Sequence, residues 1–238
     1  MSQKESRAEP RVTKDFYSEA VGLMAKAREL HSSVLVSFSG GKDSFVVLDM
    51  CAKAGFTKIV LFHRCLIPGI KIEQKYLDYA VDRYKVELVQ FPEPGIIDWL
   101  KAGNYNDVSQ AILSLHTWKG ESLRNLARQD TGISLFCTGS KKSDAMGQGL
   151  ANLQWANKTV NDLQPIIGWN KFHVLSYLKA NKLPLPENDG RNSSSMDLAV
   201  ENILWLYENH RDDYNTFKKV FPYIEAAVYR KKWYGIPK

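Results

Sequence analysis

Six consecutive residues, Ser39-Gly40-Gly41-Lys42-Asp43-Ser44, combine the groups needed to hold a phosphate. Gly40 and Gly41 carry no side chain, so backbone N–H groups there can approach an anion closely. Lys42 brings a full positive charge, and Ser39 and Ser44 bring hydroxyl donors. Asp43 alone would repel a phosphate; in this loop it serves either as a helix cap or as a magnesium ligand. The chain holds no GxxxxGK[ST] segment and no GxGxxG fingerprint. That argues against γ-phosphate transfer and against a simple dehydrogenase.

The flanking residues predict how such a loop is positioned. Val34-Leu35-Val36-Ser37-Phe38 is a short, β-branched apolar run and reads as a buried strand, with Ser37 near its carboxyl end. Phe45–Ala52 reads as a helix ending near Gly55. The loop thus lies beyond the strand and opens the helix, where unpaired N–H groups and the helix dipole favour an anion.

The same alternation continues. Strands are predicted at Lys58–Phe62, Val86–Gln90 and Ile133–Thr138, with a helix over Ile72–Tyr84 and helices between Gly95 and about Gln129. Pro165–Trp169 is expected as a last short strand, followed by a helix over Lys171–Asn181 and two more over about Met196–Asn209 and Tyr214–Tyr229. An amphipathic helix precedes them all, with Phe16, Ala20, Leu23, Ala27 and Leu30 on one face. The pattern predicts an α/β fold: a Rossmann-like parallel sheet flanked by helices, with C-terminal helices. Three parts are expected: residues 1–30 as tail and helix, 31–195 as the nucleotide-binding α/β domain, and 196–238 as a helical extension with a basic tail. The polar segment 140–165 reads as an active-site loop region, 187–195 as a polar loop, and 103–130 as a lid or a homodimer face.

Composition bounds the rest. The chain has 238 residues, 44% hydrophobic and 24% charged, as expected of a globular protein with a substantial core. No apolar stretch suits a membrane span, and the polar N-terminus has no signal core, so a cytoplasmic location is expected. Net charge is 32 − 26 = +6. The three cysteines, Cys51, Cys65 and Cys137, are widely spaced. They cannot by themselves supply four thiolates, so no iron–sulfur cluster is expected. The run Arg230-Lys231-Lys232-Trp233-Tyr234 is either a solvated terminus or a contact surface for nucleic acid or a protein partner.

Ser39–Ser44 resembles the SGGxDS loop of the PP-loop superfamily, the adenine nucleotide alpha-hydrolase-like proteins that include the ATP pyrophosphatases. Within it, Thr138–Asp144 resembles the segment after the fourth strand in the phosphoadenylyl-sulfate (PAPS) reductase branch. Pro165–Leu178 resembles that branch's P-L-x-x-W-x-x-x-D-V-x-x-Y-I, and Asp189–Ser193 its later turn. The resemblance implies that the loop holds the phosphates of ATP or PAPS, with Mg²⁺ as the accompanying ion. Lys42 and Asp43 would be the catalytic pair, and Ser37, Ser39, Gly40, Gly41, Ser44 and Gly139 would join them in binding nucleotide. Lys141, Lys142 and Arg191 are either a second cationic clamp or surface charge, and His63 either meets adenine or is structural.

The departures are as informative. The reductases use a cysteine in a C-terminal Glu-Cys-Gly-x-His segment, and this sequence has no cysteine beyond Cys137. Reduction needs a thiol to attack sulfur. The expected activity is therefore ATP α-phosphate chemistry, pyrophosphatase or adenylyl transfer in type, in nucleic-acid or sulfur modification. The alternatives are a PAPS reductase with a non-standard thiol such as Cys65, and a non-catalytic nucleotide-sensing regulatory subunit.

Overall fold

The computed structural model describes residues 14–144, 161–187 and 197–235. After helix α1 (Lys14–Leu30), strand β1 (Ser33–Ser37) enters the middle of a five-stranded, all-parallel sheet. The other strands are β2 (Lys58–Cys65), β3 (Glu87–Pro92), β4 (Phe136–Cys137) and β5 (Asp162–Leu163), in the order β3-β2-β1-β4-β5. Strand side chains alternate between the two faces. Val34, Val36, Ile59 and Leu61 join one core, while Leu35, Val60, Phe62 and Phe136 join the other. Both faces are therefore apolar and both are covered, as a parallel sheet requires. The chain has a Rossmann-like α/β fold.

Helix α2 (Lys42–Lys53) follows β1, and α3 (Lys71–Tyr84) follows β2. After β3 come α4 (Pro94–Lys101), the single turn α5 (Gln110–Leu113) and α6 (Gly120–Thr131), whose Leu123 and Ala127 fill the smaller core. Pro94 begins α4, where its missing N–H costs nothing. The order reverses at β1: its neighbours are β2 on one side and β4 on the other. The crevice beyond the carboxyl ends of β1 and β4 is where such sheets bind ligands.

The sequence patterns misplace several boundaries. The last strand is Asp162–Leu163, and Pro165–Gly168 forms a turn. β4 spans only Phe136–Cys137 of the run expected at 133–138. Leu30 is exposed, so the buried face of α1 ends at Ala27, and Met24 joins it mid-helix. The final helix is divided into α9 (Arg211–Val220) and α10 (Glu225–Tyr234), because Pro222 cannot donate to the helix ladder. Between these and the sheet lie α7 (Lys171–Ala180) and α8 (Val200–Asn209).

α2 is buried from Ser44 to Cys51, and that buried stretch includes one carboxylate, Asp49. A carboxylate so placed needs partners. Tyr84 and Tyr177 donate hydroxyls to its two oxygens at 2.8 and 2.7 Å, and Lys53 lies 2.7 Å away. Burial and the neighbouring carboxylate push both tyrosine hydroxyls well above their ordinary range. The cluster ties α2 to α3 and α7. At the other end of α7, Asn170 caps the helix in a reciprocal pair with His173, and Trp169 donates to the Phe16 carbonyl at 3.2 Å, fastening α1.

Asp49→Ala takes the acceptor from two tyrosine hydroxyls in the interior, while Lys53 keeps Asn181 and the Tyr177 oxygen. It is expected to lower unfolding free energy by about 2–4 kcal/mol, read as a shifted urea midpoint with little change in slope.

Candidate functional site

The sequence loop sits where its flanks require. β1 ends at Ser37, whose partner in the sheet is Phe62, and Phe38 adds one further sheet bond to the Phe62 carbonyl at 2.9 Å. The chain then turns through Gly40 at φ 71°, a left-handed conformation that glycine adopts without strain. A Cβ there would also lie 3.3 Å from the Cβ of Tyr76 on α3. Gly41 caps α2 with extended backbone and no side chain, and its N–H donates to Ser39 Oγ at 3.3 Å. The start of a helix has no preceding turn to accept its first N–H groups, which makes this end of α2 suited to an anion.

Ser44 differs from its expected role. Its hydroxyl donates to the Gly41 carbonyl at 2.8 Å, so its proton is committed within the loop. Ser39, by contrast, is exposed and accepts from Gly41.

The loop after β4 closes the site from the other side. Gly139 packs so tightly on the first turn of α2 that a Cβ there would lie 3.0–3.1 Å from the carbonyl group and Cβ of Asp43. Two residues on, Lys141 is buried, and its Nζ lies 2.7 Å from Asp43 Oδ1 as an ion pair whose angle falls short of a hydrogen bond. Lys42 Nζ lies 3.2 Å from Asp43 Oδ2. Asp43 thus anchors two ammonium groups beside the glycine loop and does not cap α2. Nor does it fit a magnesium ion in this arrangement, since a dication would have to approach alongside both lysines. Among the described residues, no group of three His, Cys, Asp or Glu side chains gathers as metal ligands.

Lys142 is exposed at the start of a short 3₁₀ turn, and its N–H donates to the Ile167 carbonyl at 2.9 Å. This bond joins the β4 loop to the turn before α7. Arg191 lies outside the described residues.

His63 supports the loop from beneath. It is buried on β2, with Nδ1 2.9 Å from the carbonyl of Phe38, the residue before Ser39. Burial holds its pKa below the usual value, so the neutral ring donates from Nδ1. Nε2 makes no hydrogen bond and lies 3.9 Å from Glu73 Oε2 on α3. Desolvation first, then the charges of Asp213 and Glu93, raise the Glu73 carboxyl to about 7. Asp213 itself accepts from the N–H groups of Lys71 and Ile72 at 2.7 and 3.1 Å, capping α3 from α9. Cys65 is half-buried nearby, and burial together with Glu73 keeps its thiol above the ordinary value. Cys51 and Cys137 are both buried; desolvation, with a contact between the two thiols, pushes Cys51 well up.

Tyr76 and Glu187 were not legible as site residues. The Tyr76 side chain walls Gly40, and its hydroxyl accepts from the Glu187 N–H at 2.9 Å. The Glu187 carboxylate meets Lys75 at 2.6 Å and His210 at 3.6 Å. Tyr76 shows in the sequence only as a position on a helix face, and its meeting with Gly40 is purely tertiary.

A family model described as "Phosphoadenosine phosphosulfate reductase domain" matches residues 33–187. No curated protein matches the chain at a significant level. Among solved structures it is similar to an NH3-dependent NAD synthetase from Campylobacter jejuni, at 16% identity and a TM-score of 0.49, covering 94% of this chain and 97% of that one. It is also similar to a PAPS reductase from Candida auris, at 12% identity and a TM-score of 0.49, covering 76% and 92%. A third is a U34-tRNA thiolase from Methanococcus maripaludis, at 14% identity and a TM-score of 0.45, covering 91% and 81%.

Two outcomes follow from this geometry. Gly139→Ala forces a methyl against backbone atoms and should cost about 1–3 kcal/mol, whereas Gly22→Ala, with nothing within 4 Å, should add about 0.5–1 kcal/mol; urea unfolding measures both. Glu73 holds its proton more tightly folded than unfolded, so it withdraws stability as pH rises from about 4.5 to about 7. Glu73→Gln should therefore gain on the wild type by on the order of 2–3 kcal/mol between pH 5 and pH 8.

Proposed function

The chain belongs to the phosphoadenosine phosphosulfate reductase domain family, matched over residues 33–187, and from that membership we propose that it binds ATP across the β1–β4 crevice and catalyses attack on the α-phosphorus. The observation that carries this reading is the junction at Asp43, where Gly139 touches the glycine loop's helix and Lys141 reaches it at 2.7 Å. Cations from two different strands' loops are thereby held at one carboxylate, Asp43, an arrangement that suits a leaving pyrophosphate.

An acceptor nucleophile forms a bond to the α-phosphorus as the bond from that phosphorus to the bridging oxygen breaks. The electron pair stays on that oxygen, which leaves with the pyrophosphate; the acceptor's proton passes to solvent. Gly40, Gly41 and the first-turn N–H groups hold the leaving phosphates, and Lys42 and Lys141 offset the charge that develops. Asp43 keeps both ammonium groups in place before nucleotide arrives, and Ser37, Ser39 and Gly139 line the approach. His63 acts through Phe38 by fixing the backbone that enters the loop. Lys142 and Arg191 are the candidates for meeting the acceptor or the distal phosphate.

Thiol-dependent reduction is the weaker reading. A nucleophilic cysteine must reach the thiolate form readily. Burial and Glu73 hold Cys65 protonated, and Cys51 and Cys137 lie inside the core. No helix among the described residues is long and apolar enough to cross a membrane.

Product identity tests the proposal. Incubation with ATP should yield AMP and pyrophosphate, with water as a slow acceptor. ATP affinity by calorimetry should fall about 10- to 100-fold in Lys42→Ala and in Lys141→Ala. Release of ADP and orthophosphate, or ATP affinity unchanged in both variants, would sink the idea.

A further inference from the structure

Helix α10 inverts the usual pattern of a surface helix. Ile224 and Ala227 are buried and mark the side that packs on the body, and Lys231 turns to the same side to meet Glu208 of α8 at 2.7 Å. Successive helix positions are about 100° apart, so the opposite pole belongs to Tyr229 and Trp233. These are 55% and 70% exposed, and Tyr234 beside them is 88% exposed. A solvated pole ordinarily carries charged side chains and an aromatic is ordinarily turned inward. Here the charged residues flank the aromatic stripe along the helix: Arg230 on one side, and on the other Lys232, whose Nζ reaches over one face of the Trp233 ring at 5.4 Å from its centre.

From this arrangement we infer that α10 is a docking surface for single-stranded nucleic acid, with bases stacking on Trp233 and Tyr229 while Arg230 and Lys232 meet the phosphates. Stacked bases need flat, exposed π faces and phosphates need cations a few ångströms to the side; this helix supplies both within its last two turns. The chain's net charge of +6 has the sign that draws a polyanion. A bilayer is a poorer fit, because only the small side chain of Ala226 joins the aromatics at the exposed pole, with no larger aliphatic to insert among acyl chains. A duplex keeps its base faces stacked inside and offers the aromatics nothing to stack on. The inference is independent of the ATP reading, since no residue of α10 belongs to the nucleotide site.

Fluorescence anisotropy with labelled single strands tests it, using mixed-sequence DNA and RNA of equal length, the matching DNA duplex, and phosphatidylglycerol–phosphatidylcholine vesicles. At low salt at least one single strand should bind, more tightly than the duplex. Tyr229→Ala/Trp233→Ala should weaken it about 10- to 100-fold. Arg230→Gln/Lys232→Gln should lower the slope of log affinity against log salt by roughly 1 to 1.5. Lys231→Gln, engaged with Glu208, should change little. All these positions are exposed, so the variants should keep the far-ultraviolet spectrum of the wild type; Trp233→Ser alone serves if the double variant does not. Absence of single-strand binding, equal binding by the aromatic variants, or binding to vesicles instead would overturn the inference. Lys42→Ala should keep oligonucleotide binding while losing ATP, which separates this test from that of the nucleotide site.

Discussion

The structure hinges on how closely two backbones approach each other. Gly139 lies against the carbonyl group of Asp43 with no space for a side chain. That contact sets the separation of the loops leaving β1 and β4, and so the width of the mouth between them. A methyl group would widen it, and the Lys141–Asp43 ion pair could not then persist at 2.7 Å. The sheet order makes the contact available: β1 and β4 are neighbours, but a long excursion through α2 to α6 separates them in sequence. Distant residues thus meet at a junction built from one glycine, one carboxylate and one ammonium.

α2 connects this junction to the rest of the molecule. Its N-terminal turn holds the loop, its middle is wholly apolar, and its last turns carry Asp49 with two tyrosine hydroxyls and Lys53 around it. Apolar burial is non-directional, so it leaves a helix more freedom in its exact register than hydrogen bonds do. A carboxylate bonded from α3 and from α7 removes that freedom. The orientation of the first turn is thus set from both ends, by Gly139 at one and by Asp49 at the other.

Much of the fold was legible in the sequence because parallel strands are short apolar runs and the glycine loop falls between one such run and a helix. The PP-loop itself was legible for the same reason: its chemistry is local and contiguous. Boundaries failed where tertiary context decides them. The apolar run at 165–169 looks like a strand but packs as a turn holding Trp169 against α1, while the short pair Asp162–Leu163, with only Leu163 buried, takes the edge of the sheet. The split of the last helix was visible in Pro222. The roles of Asp43, His63 and Tyr76 were not, because each depends on a partner in another element: Lys141, Phe38 and Gly40. For the first, residue type suggested a helix cap or a magnesium ligand; for the second, the family resemblance suggested an adenine contact beside a structural role without naming the partner.

Tyr76 constrains how this sequence can drift. One face of its side chain supports Gly40, and its hydroxyl holds the backbone of Glu187. Phenylalanine would keep the wall and forfeit the anchor, and leucine would forfeit both. Position 76 is therefore answerable to two remote stretches of chain simultaneously. Over evolutionary time its identity should change only in concert with the glycine turn on one side and the Glu187 region on the other.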